Sequence, residues 1–502
     1  MNQTTINQTL THVDDLITEL FNEEPLAGLA VGIVQNGELV HTKNLGFADI
    51  AQQTPISSDT VFRIGSISKT FTAVGVMQLW EQGRFLLDDP VNDYLQAYQI
   101  IPAGPDAPPI TFRHLLTHTG GIGELRSFGD VFRPVIGLGA PVDQPLPPLS
   151  DYYAHGLRAD VAPGTKWSYT HHAFATLGQL IEDISGEPFH DYMRRYVFDP
   201  LGMDRSDYQR SERVCDNLAV GYNWKRGTFT PVKDVEIVIG AAGSIFSSVN
   251  QMAQYVAALL NGGVGEHGAI VQANTLPMML TPQFQLDPHL PAMGLAFWLD
   301  TWNEHRTAGH DGGWPGFVSS MLFAPDDGIG VVVFTNTTSI QPGKIAANLL
   351  RRLLQLPDLD DPPRANVAQA PQLWHELAGA YGLTKGWNTN FRLWNGFGGE
   401  LQVLVRGKDL VLRSLTGPFW RGITLRASDA AEPLAFEGRF NGQPLRVVFR
   451  RNDSGEIERL LFGFNELRKR PRAQSLRYRG VAGVSAVAGT VALAMLRRRL
   501  KR

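Results

Sequence analysis

Apolar residues along the chain recur at two different spacings, and each spacing predicts a different kind of element. Residues 9–22 carry apolar side chains three or four positions apart, which predicts an amphipathic helix. Apolar runs on both sides of Asn36-Gly37 predict a β-hairpin, because Asn and Gly tolerate the backbone of a tight turn. The run from Phe71 to Leu79 again has helical spacing. A helix, a hairpin and a second helix in this order indicate a sheet that is covered by helices.

The same alternation of helical and strand patterns continues to about residue 356. Three further stretches predict helices, namely 174–184, 252–260 and 345–356. Two apolar runs, 318–323 and 329–336, predict buried strands that are joined by a hairpin. The first part of the chain is therefore expected to combine helices with an antiparallel sheet.

From about residue 375 the pattern changes to short alternating runs that are separated by turn residues. Six runs predict strands: 400–406, 409–414, 422–426, 434–440, 445–451 and 457–463. Short antiparallel strands at this spacing predict a small barrel or sandwich. Proline and aspartate between 357 and 363 have the composition of a linker. We expect four parts: a first domain over 1–356, a linker over 357–372, an antiparallel β domain over 373–466 and a tail over 467–502.

The tail places a run of small apolar residues, 480–496, between two basic clusters. Seventeen residues would form a helix of about 25 Å, which is marginal for a bilayer. A span would also carry five positive charges out of the cytoplasm, against the positive-inside rule. We expect contact with a membrane surface or an acidic partner, or a disordered tail, rather than a membrane span.

Composition excludes several classes of protein. The 502 residues are 43% hydrophobic and 19% charged, as in a globular protein, and the net charge of −4 gives no nucleic-acid footprint. A single cysteine, Cys215, excludes an internal disulfide framework and a cysteine-rich metal site, and no cofactor or metal is expected. The first residues lack a basic and an apolar region, so we expect no secretory signal and a cytoplasmic location. Oligomeric state is left open.

The candidate chemistry begins at Ser66-Ile67-Ser68-Lys69, directly before the apolar run. Three positions are nearly one helical turn, so the hydroxyl of Ser66 and the amine of Lys69 can share a face. A serine needs a base within hydrogen-bond reach to act as a nucleophile, and a lysine can be that base. The alternative is a helix cap with a solvated lysine.

Downstream of Lys69, a tyrosine, a histidine and a group of glycines add candidate site residues. Tyr169 lies in a loop that leads into a helix, where side chains are often positioned for function. His118 lies beside a glycine loop and either belongs to a site or bonds the backbone. Glycines at 309, 312, 313 and 316 would let a backbone approach a bound group closely, and the alternative is a twisted edge strand.

Ser66-x-x-Lys69, Tyr169-Thr170-His171 and His310-Asp311-Gly312 follow one another in an order that resembles the serine β-lactamase and penicillin-binding-protein superfamily. The closest likeness is to its class C β-lactamase-like branch, which includes esterases and D-aminopeptidases, and it covers roughly residues 9–355. The resemblance implies an α/β (α+β) fold with an antiparallel sheet flanked by helices, plus an all-helical subdomain. Residues 377–381 resemble the opening of the lipocalin-like β-barrel that follows the catalytic domain in some relatives.

The resemblance also implies roles for individual residues. Ser66 would be the nucleophile, Lys69 would take its proton, and Tyr169 would be a shared base that carries a proton toward the leaving group. His310 would relay protons or orient Tyr169. The remaining candidates would bind substrate or stabilise the oxyanion: Gly312, His171, and the backbone N–H groups of Ser66 and Gly313.

Two departures from the family pattern narrow the chemistry. His171 stands where relatives have asparagine, and His310 stands where many have lysine, so an amide and a fixed positive charge are missing. Both changes favour an ester, or an amide other than a β-lactam. We expect a serine hydrolase that acts on a small-molecule or peptide substrate. A β-lactamase or D-Ala-D-Ala-type peptidase, and a non-catalytic binding or sensor protein, are the alternatives.

Overall fold

The computed structural model describes residues 3–142, 144–339, 341–359 and 367–476. The chain divides into two compact units. The first consists of Met1–Gln285 and Pro291–Asp361, and the second consists of Leu286–Leu290 and Pro362–Arg502. The division into domains, linker and tail made from the sequence stays a prediction.

The α-helices of the first unit surround its sheet. They are α1 (Gln3–Glu23), α2 (Ser68–Glu81), α3 (Phe112–Leu116), α4 (Leu149–Tyr152), α5 (His171–Ser185), α6 (Phe189–Met193), α7 (Asp199–Leu201), α8 (Glu212–Cys215), α9 (Val249–Leu260), α10 (Thr275–Met279) and α11 (Gln341–Leu353).

The strands of the first unit form one large sheet and four small pairs. They are β1 (Gly28–Gln35), β2 (Glu38–Asp49), β3 (Thr54–Pro55), β4 (Phe62–Arg63), β5 (Ile100–Ile101), β6 (Gly139–Pro141), β7 (Leu157–Arg158), β8 (Tyr222–Lys225), β9 (Thr228–Pro231), β10 (Val235–Ile237), β11 (Phe246–Ser247), β12 (Ala292–Met293), β13 (Trp298–Trp302), β14 (His305–Trp314), β15 (Phe317–Ala324) and β16 (Ile329–Thr335).

The large sheet has the strand order β12-β13-β14-β15-β16-β1-β2-β3, and all of its pairs are antiparallel. Alternate residues of β1 point to opposite faces. Leu29, Val31 and Ile33 pack with α1 and α11, whereas Ala30 and Val34 join the core that contains α2 and α9. Both faces are thus buried under helices, and the predicted antiparallel sheet flanked by helices is confirmed.

The hairpin at Asn36-Gly37 is confirmed. Both residues have positive φ, 51° and 82°, as a two-residue turn that matches strand twist requires. Some helix ends differ from the prediction. Helix α5 begins at His171 because Thr170 caps it, and α11 ends at Leu353 because Gln355 takes a positive φ of 58°.

The second unit is a closed antiparallel barrel with two short helices, α12 (Pro371–Leu377) and α13 (Phe391–Phe397). Its strands are β17 (Gly379–Leu383), β18 (Glu400–Arg406), β19 (Asp409–Ser414), β20 (Ile423–Ala427), β21 (Ala435–Phe440), β22 (Gln443–Arg451), β23 (Ile457–Phe462) and β24 (Asn465–Arg470). The predicted small barrel is confirmed and is consistent with a lipocalin-like module. Apolar side chains such as Leu401, Leu412 and Phe449 pack together in its core.

The barrel has eight strands rather than the six predicted, and the two extra strands close it. Strand β17 pairs with both β18 and β24. Residues 467–470, which the sequence assigns to the tail, lie in β24. Leu467 is fully buried in β24 and the exposed Arg468 follows it, so part of the charge that suggested a tail belongs to a strand.

None of the helices within the described ranges is both long and apolar enough to cross a membrane. The apolar run at 480–496, residues 360–366 of the linker and the basic C-terminus lie outside the described residues. The expected cytoplasmic location and membrane-surface contact therefore stay predictions.

Candidate active site

Ser66 lies in a single 3-10 turn, Gly65–Ile67, that leads directly into α2. Two hydrogen bonds through Ser68 hold this turn in place. Ser68 Oγ donates to the carbonyl of Gly65 at 2.7 Å and accepts from the backbone N–H of Ile245 at 3.1 Å. The nucleophile candidate is thus tied to a neighbouring segment rather than left on a free loop.

Lys69 is fully buried and reaches the hydroxyl of Ser66. Its Nζ donates to Ser66 Oγ at 2.9 Å and to the carbonyl of Ala242 at 2.6 Å. The same nitrogen lies 4.9 Å from the centre of the Tyr169 ring. The alternative of a solvated lysine on a capped helix is therefore wrong for this chain.

Tyr169 immediately precedes the residue that caps α5. The cap, Thr170, accepts from the backbone N–H of His172 at 3.3 Å and donates to the carbonyl of Gly123 at 2.9 Å. His118 packs beneath Tyr169 with 4.3 Å between ring centres, and its Nδ1 accepts from the backbone N–H of Thr170 at 3.3 Å. His118 thus bonds backbone, as one of its two interpretations had it, and it also supports the ring of Tyr169.

His171 pairs with a carboxylate that the sequence analysis missed. Its Nδ1–H donates to Glu124 Oε1 at 2.5 Å, and the Glu124 side chain is only 2% exposed. The His171 ring lies edge-on to that of Tyr169, 5.7 Å between centres. Because Glu124 and His171 are 47 positions apart, no local pattern could have signalled this pair.

His310 is buried on β14 and stacks on Trp298, with ring centres 4.6 Å apart. Its Nδ1–H donates to the carbonyl of Asp311 at 2.6 Å, so the other nitrogen, Nε2, carries a lone pair. Nε2 has no hydrogen-bond partner among the described residues. Burial, reinforced by the positive charge of Lys69, lowers the pKa of His310 to about 3. The imidazole is therefore neutral near pH 7 and can only accept through Nε2.

On one side, β14 loses its neighbouring strand near His310. Strand β13 pairs with residues 305–309, while β15 pairs with residues 308–314. From His310 onward the edge that β13 leaves open approaches the Ser66 turn. Both interpretations of the glycines, an edge strand and a close approach to another group, therefore apply to residues 310–314.

The glycines on this edge permit backbone-to-backbone contact with the Ser66 turn. A Cβ on Gly312 would lie 1.9 Å from the carbonyl oxygen of Ile64, and one on Gly65 would lie 2.6 Å from the nitrogen of Gly313. Gly65 also has a φ of +54°, which L side chains rarely adopt. Side chains at either position would push the turn and the strand apart.

The structure brings the sequence-predicted residues of all three motifs into one site. Lys69 contacts Ser66, the Tyr169 ring lies 6.2 Å from that of His310, and Gly313 lies against Gly65. The site thus contains a buried hydroxyl–amine pair, a phenol and a neutral imidazole acceptor. Together these groups can attack a carbonyl carbon and move protons.

Comparisons with known proteins relate the chain to the same superfamily that its three motifs resemble. The model of the family described as Beta-lactamase matches residues 13–356. The chain is 32% identical over 251 residues to PbpX of Bacillus subtilis (strain 168), which is named for the penicillin-binding proteins; the match covers 49% of this chain and 58% of that one. It is 29% identical over 215 residues to esterase EstB of Burkholderia gladioli, covering 42% and 54%.

Among solved structures, the octameric penicillin-binding protein homologue from Pyrococcus abyssi aligns with a TM-score of 0.61 at 25% identity, covering 92% of this chain and 100% of that one. The chain spans little more than half the length of the first two curated relatives. The family model, in contrast, takes in the segments that carry Ser66, Tyr169 and His310. The chain belongs to the β-lactamase family, within the superfamily of serine β-lactamases and penicillin-binding proteins.

Proposed function

We propose that this protein is a serine hydrolase that forms an acyl-enzyme on Ser66. The observation that carries the proposal is the 2.9 Å hydrogen bond between Lys69 Nζ and Ser66 Oγ, made by a lysine with no exposed surface. A buried amine held against a hydroxyl is the arrangement that activates a serine. No role in a packed core requires this pair.

Acylation follows from the geometry around Ser66. Its Oγ attacks the substrate carbonyl carbon while its proton passes to the amine of Lys69 or, through it, to the phenolate oxygen of Tyr169 beside it. The backbone N–H groups of Ser66 and Gly313 stabilise the oxygen that becomes negative. Tyr169 then donates a proton to the leaving group, and the acyl group stays on Ser66.

Deacylation requires a base for water on the same face of the site. Tyr169, as the phenolate, removes a proton from the attacking water, the acyl–Oγ bond breaks, and the proton returns to Ser66 Oγ. The neutral His310 supplies a hydrogen-bond acceptor on the Tyr169 side of the site. Because this imidazole does not become protonated near pH 7, it orients donors rather than holding anions. His310 therefore assists Tyr169 and selects against substrates that depend on a cation here.

The proposed substrate is an ester, or an amide other than a β-lactam, of small-molecule or peptide size. Support comes from the same two positions that depart from the family pattern. His310 offers a lone pair where a lysine would offer charge, and His171 is paired with Glu124 rather than presenting an amide. The relative named esterase EstB is in keeping with ester chemistry.

A β-lactamase or D-Ala-D-Ala-type peptidase is the second candidate. A relative named beta-lactamase, from Pseudomonas fluorescens, is 30% identical over 253 residues, covering 49% of this chain and 63% of that one. Nitrocefin hydrolysis tests this candidate directly. A non-catalytic binding role is disfavoured because all three motifs retain groups that can react.

The test is turnover of a panel of p-nitrophenyl esters, amino-acid p-nitroanilides and nitrocefin by the full chain. We expect ester hydrolysis that Ser66→Ala abolishes and that Ser454→Ala, in an exposed turn of the barrel, leaves unchanged. Turnover that survives Ser66→Ala would contradict the proposal. Failure of the wild type on every substrate would favour the binding role.

A further inference from the structure

We propose that Asp234 is a positioning residue that holds the Ser66 turn and the Gly313 strand at the spacing of an oxyanion hole. This inference rests on the proposed function, because an oxyanion hole matters only if Ser66 is acylated. It concerns residues outside the three motifs. Its basis is a cluster of charges that joins the two segments behind the site.

Asp234 immediately precedes β10 and accepts hydrogen bonds from three different segments. Its Oδ2 accepts from Arg63 Nη2 at 3.2 Å and from Arg210. Its Oδ1 accepts from the indole Nε1 of Trp314 at 3.1 Å. One carboxylate therefore bridges Arg63 and Trp314.

Arg63 and Trp314 flank the two proposed oxyanion donors in sequence. Arg63 lies three residues before Ser66, and Trp314 directly follows Gly313. The Arg63 guanidinium also stacks over the Trp314 ring, with its central carbon 4.3 Å from the ring centre. The Asp234 bridge is thus built onto the backbone on both sides of the hole.

The Arg63 guanidinium at the centre of the cluster is enclosed, and the charges of the cluster balance. The Arg63 side chain has no exposed surface, and its Nη2 also donates to Glu236 Oε1 at 2.7 Å and to the carbonyl of Val235 at 2.9 Å. Two arginines, Arg63 and Arg210, face two carboxylates, Asp234 and Glu236. A buried charge that loses its partner is costly, so this arrangement resists displacement.

Rigidity at this place has a catalytic consequence. Oxyanion donors act only when they lie within hydrogen-bond distance of the developing charge, and a misplacement of about 1 Å can cost about 100-fold in rate. The glycine contacts bring the turn and the strand together, but contact alone does not fix their offset along the strand. The carboxylate, attached to both, does.

The test uses Asp234→Ala, Trp314→Phe and the double variant in the full chain. Trp314→Phe keeps an aromatic ring under Arg63 and removes the N–H that reaches Asp234, together with part of the ring volume. A matched control is Asp326→Ala, which breaks the exposed Arg306–Asp326 pair at the other end of the β14–β15 hairpin. Readouts are kcat and KM for a p-nitrophenyl ester, affinity for a boronic-acid transition-state analogue, and amide hydrogen exchange of peptides over 62–67 and 312–316.

We expect kcat to fall about 10- to 100-fold in Asp234→Ala and about 5-fold in Trp314→Phe, with KM changed less than about 3-fold. Affinity for the analogue should fall in step with kcat. The double variant should be no worse than Asp234→Ala alone, because both changes break one bridge. Amide hydrogen exchange should rise in both peptides of Asp234→Ala and Trp314→Phe. The control Asp326→Ala should match the wild type. Asp234→Asn should recover part of the kcat that Asp234→Ala loses.

Unchanged kcat in Asp234→Ala or Trp314→Phe would overturn the inference. So would losses that add in the double variant, or a loss that tracks the folded fraction. If Asp234→Ala does not fold, the kcat and hydrogen exchange of Trp314→Phe still test the inference. If the wild type turns over no substrate, the proposed function fails and hydrogen exchange alone decides whether Asp234 joins the two segments.

Discussion

Two buried polar side chains, one in each unit, differ in a way that separates structure from function. Glu400 in the barrel is fully buried, and its carboxylate accepts from Ser475 Oγ at 3.0 Å and from the Leu476 N–H at 2.8 Å. His310 in the first unit is equally enclosed, yet its Nε2 meets no partner in the described part of the chain. A buried polar group without a partner is costly, and the Nε2 of His310, unlike the carboxylate of Glu400, is open to a partner that a substrate could supply.

The barrel core and the interior around Ser66 also differ in the side chains that fill them. The barrel core is filled by apolar side chains such as Leu401, Leu412 and Phe449. The interior around Ser66 contains Lys69, Arg63 and Glu124, each nearly or fully buried. The comparison predicts that buried polar groups of the first unit determine rate, whereas those of the barrel determine stability.

The largest effect is expected for Lys69→Met, which keeps the length of the side chain and removes its amine. Loss of the base for Ser66 should lower kcat by about 1,000-fold or more, while the melting temperature stays equal or rises. Steady-state kinetics and thermal unfolding measure the two quantities. Lys43→Met, at a half-exposed lysine, is the control. A fall in both kcat and melting temperature would remove the contrast with the barrel.

Tyr169→Phe should lower kcat by about 100-fold or more, because it removes the hydroxyl proposed to carry protons and keeps the ring that packs on His118. Rates with leaving groups of different basicity provide the measurement. We expect the poorest leaving groups to be affected most. Tyr196→Phe, which removes a surface hydroxyl bonded to Glu187, should have no effect. Equal rates for Tyr169→Phe and wild type would exclude the phenol from proton transfer.

His310→Leu should lower kcat by about 10-fold, because the acceptor at Nε2 is lost while the ring of Trp298 stays covered. His305→Leu, on the same strand but bonded to Asp327 away from the site, should leave kcat unchanged. Kinetic constants for both variants are the measurement. If the two substitutions reduce kcat equally, the acceptor at His310 Nε2 makes no specific contribution to the rate.

Glu400→Ala should act on stability instead of rate. Leaving the Leu476 N–H and the Ser475 hydroxyl without their acceptor should cost about 1–3 kcal/mol of the barrel's unfolding free energy. We expect kcat for esters to stay within about twofold, as in the exposed control Glu456→Ala. Urea unfolding followed alongside kinetics checks this. A large loss of kcat in folded Glu400→Ala would break the comparison.

The last prediction concerns pH. Burial lowers the pKa of His310 to about 3 from its usual 6.5. Because the unfolded chain binds this proton more readily, the contribution of His310 to stability is fully present above about pH 6.5 and is lost as pH falls toward 3. Between pH 7 and 4 the wild type should therefore lose more unfolding free energy than His310→Leu. Parallel losses, measured by urea unfolding, would show that the histidine is not held neutral.

The parts of this molecule that could be predicted are those that local sequence encodes. Asn36-Gly37 signals its hairpin, and the motifs at Ser66, Tyr169 and His310 indicate a site through their order. Contacts between distant segments have no such signature, so the pairing of Glu124 with His171 and the bridge through Asp234 were missed. Strand β24 was missed for another reason, since the run of basic residues in its second half resembles the start of a basic tail.

Mass spectrometry of the acyl-enzyme, on the intact chain and on its peptides, tests the central claim most directly. Wild type, Ser66→Ala and Ser454→Ala would be mixed with a p-nitrophenyl ester or a fluorophosphonate, quenched in acid and digested. The account predicts one added acyl or phosphonyl group in the wild type and Ser454→Ala, located on the peptide that contains Ser66, and none in Ser66→Ala. An adduct that persists in Ser66→Ala, or that maps to another residue in the wild type, would contradict it.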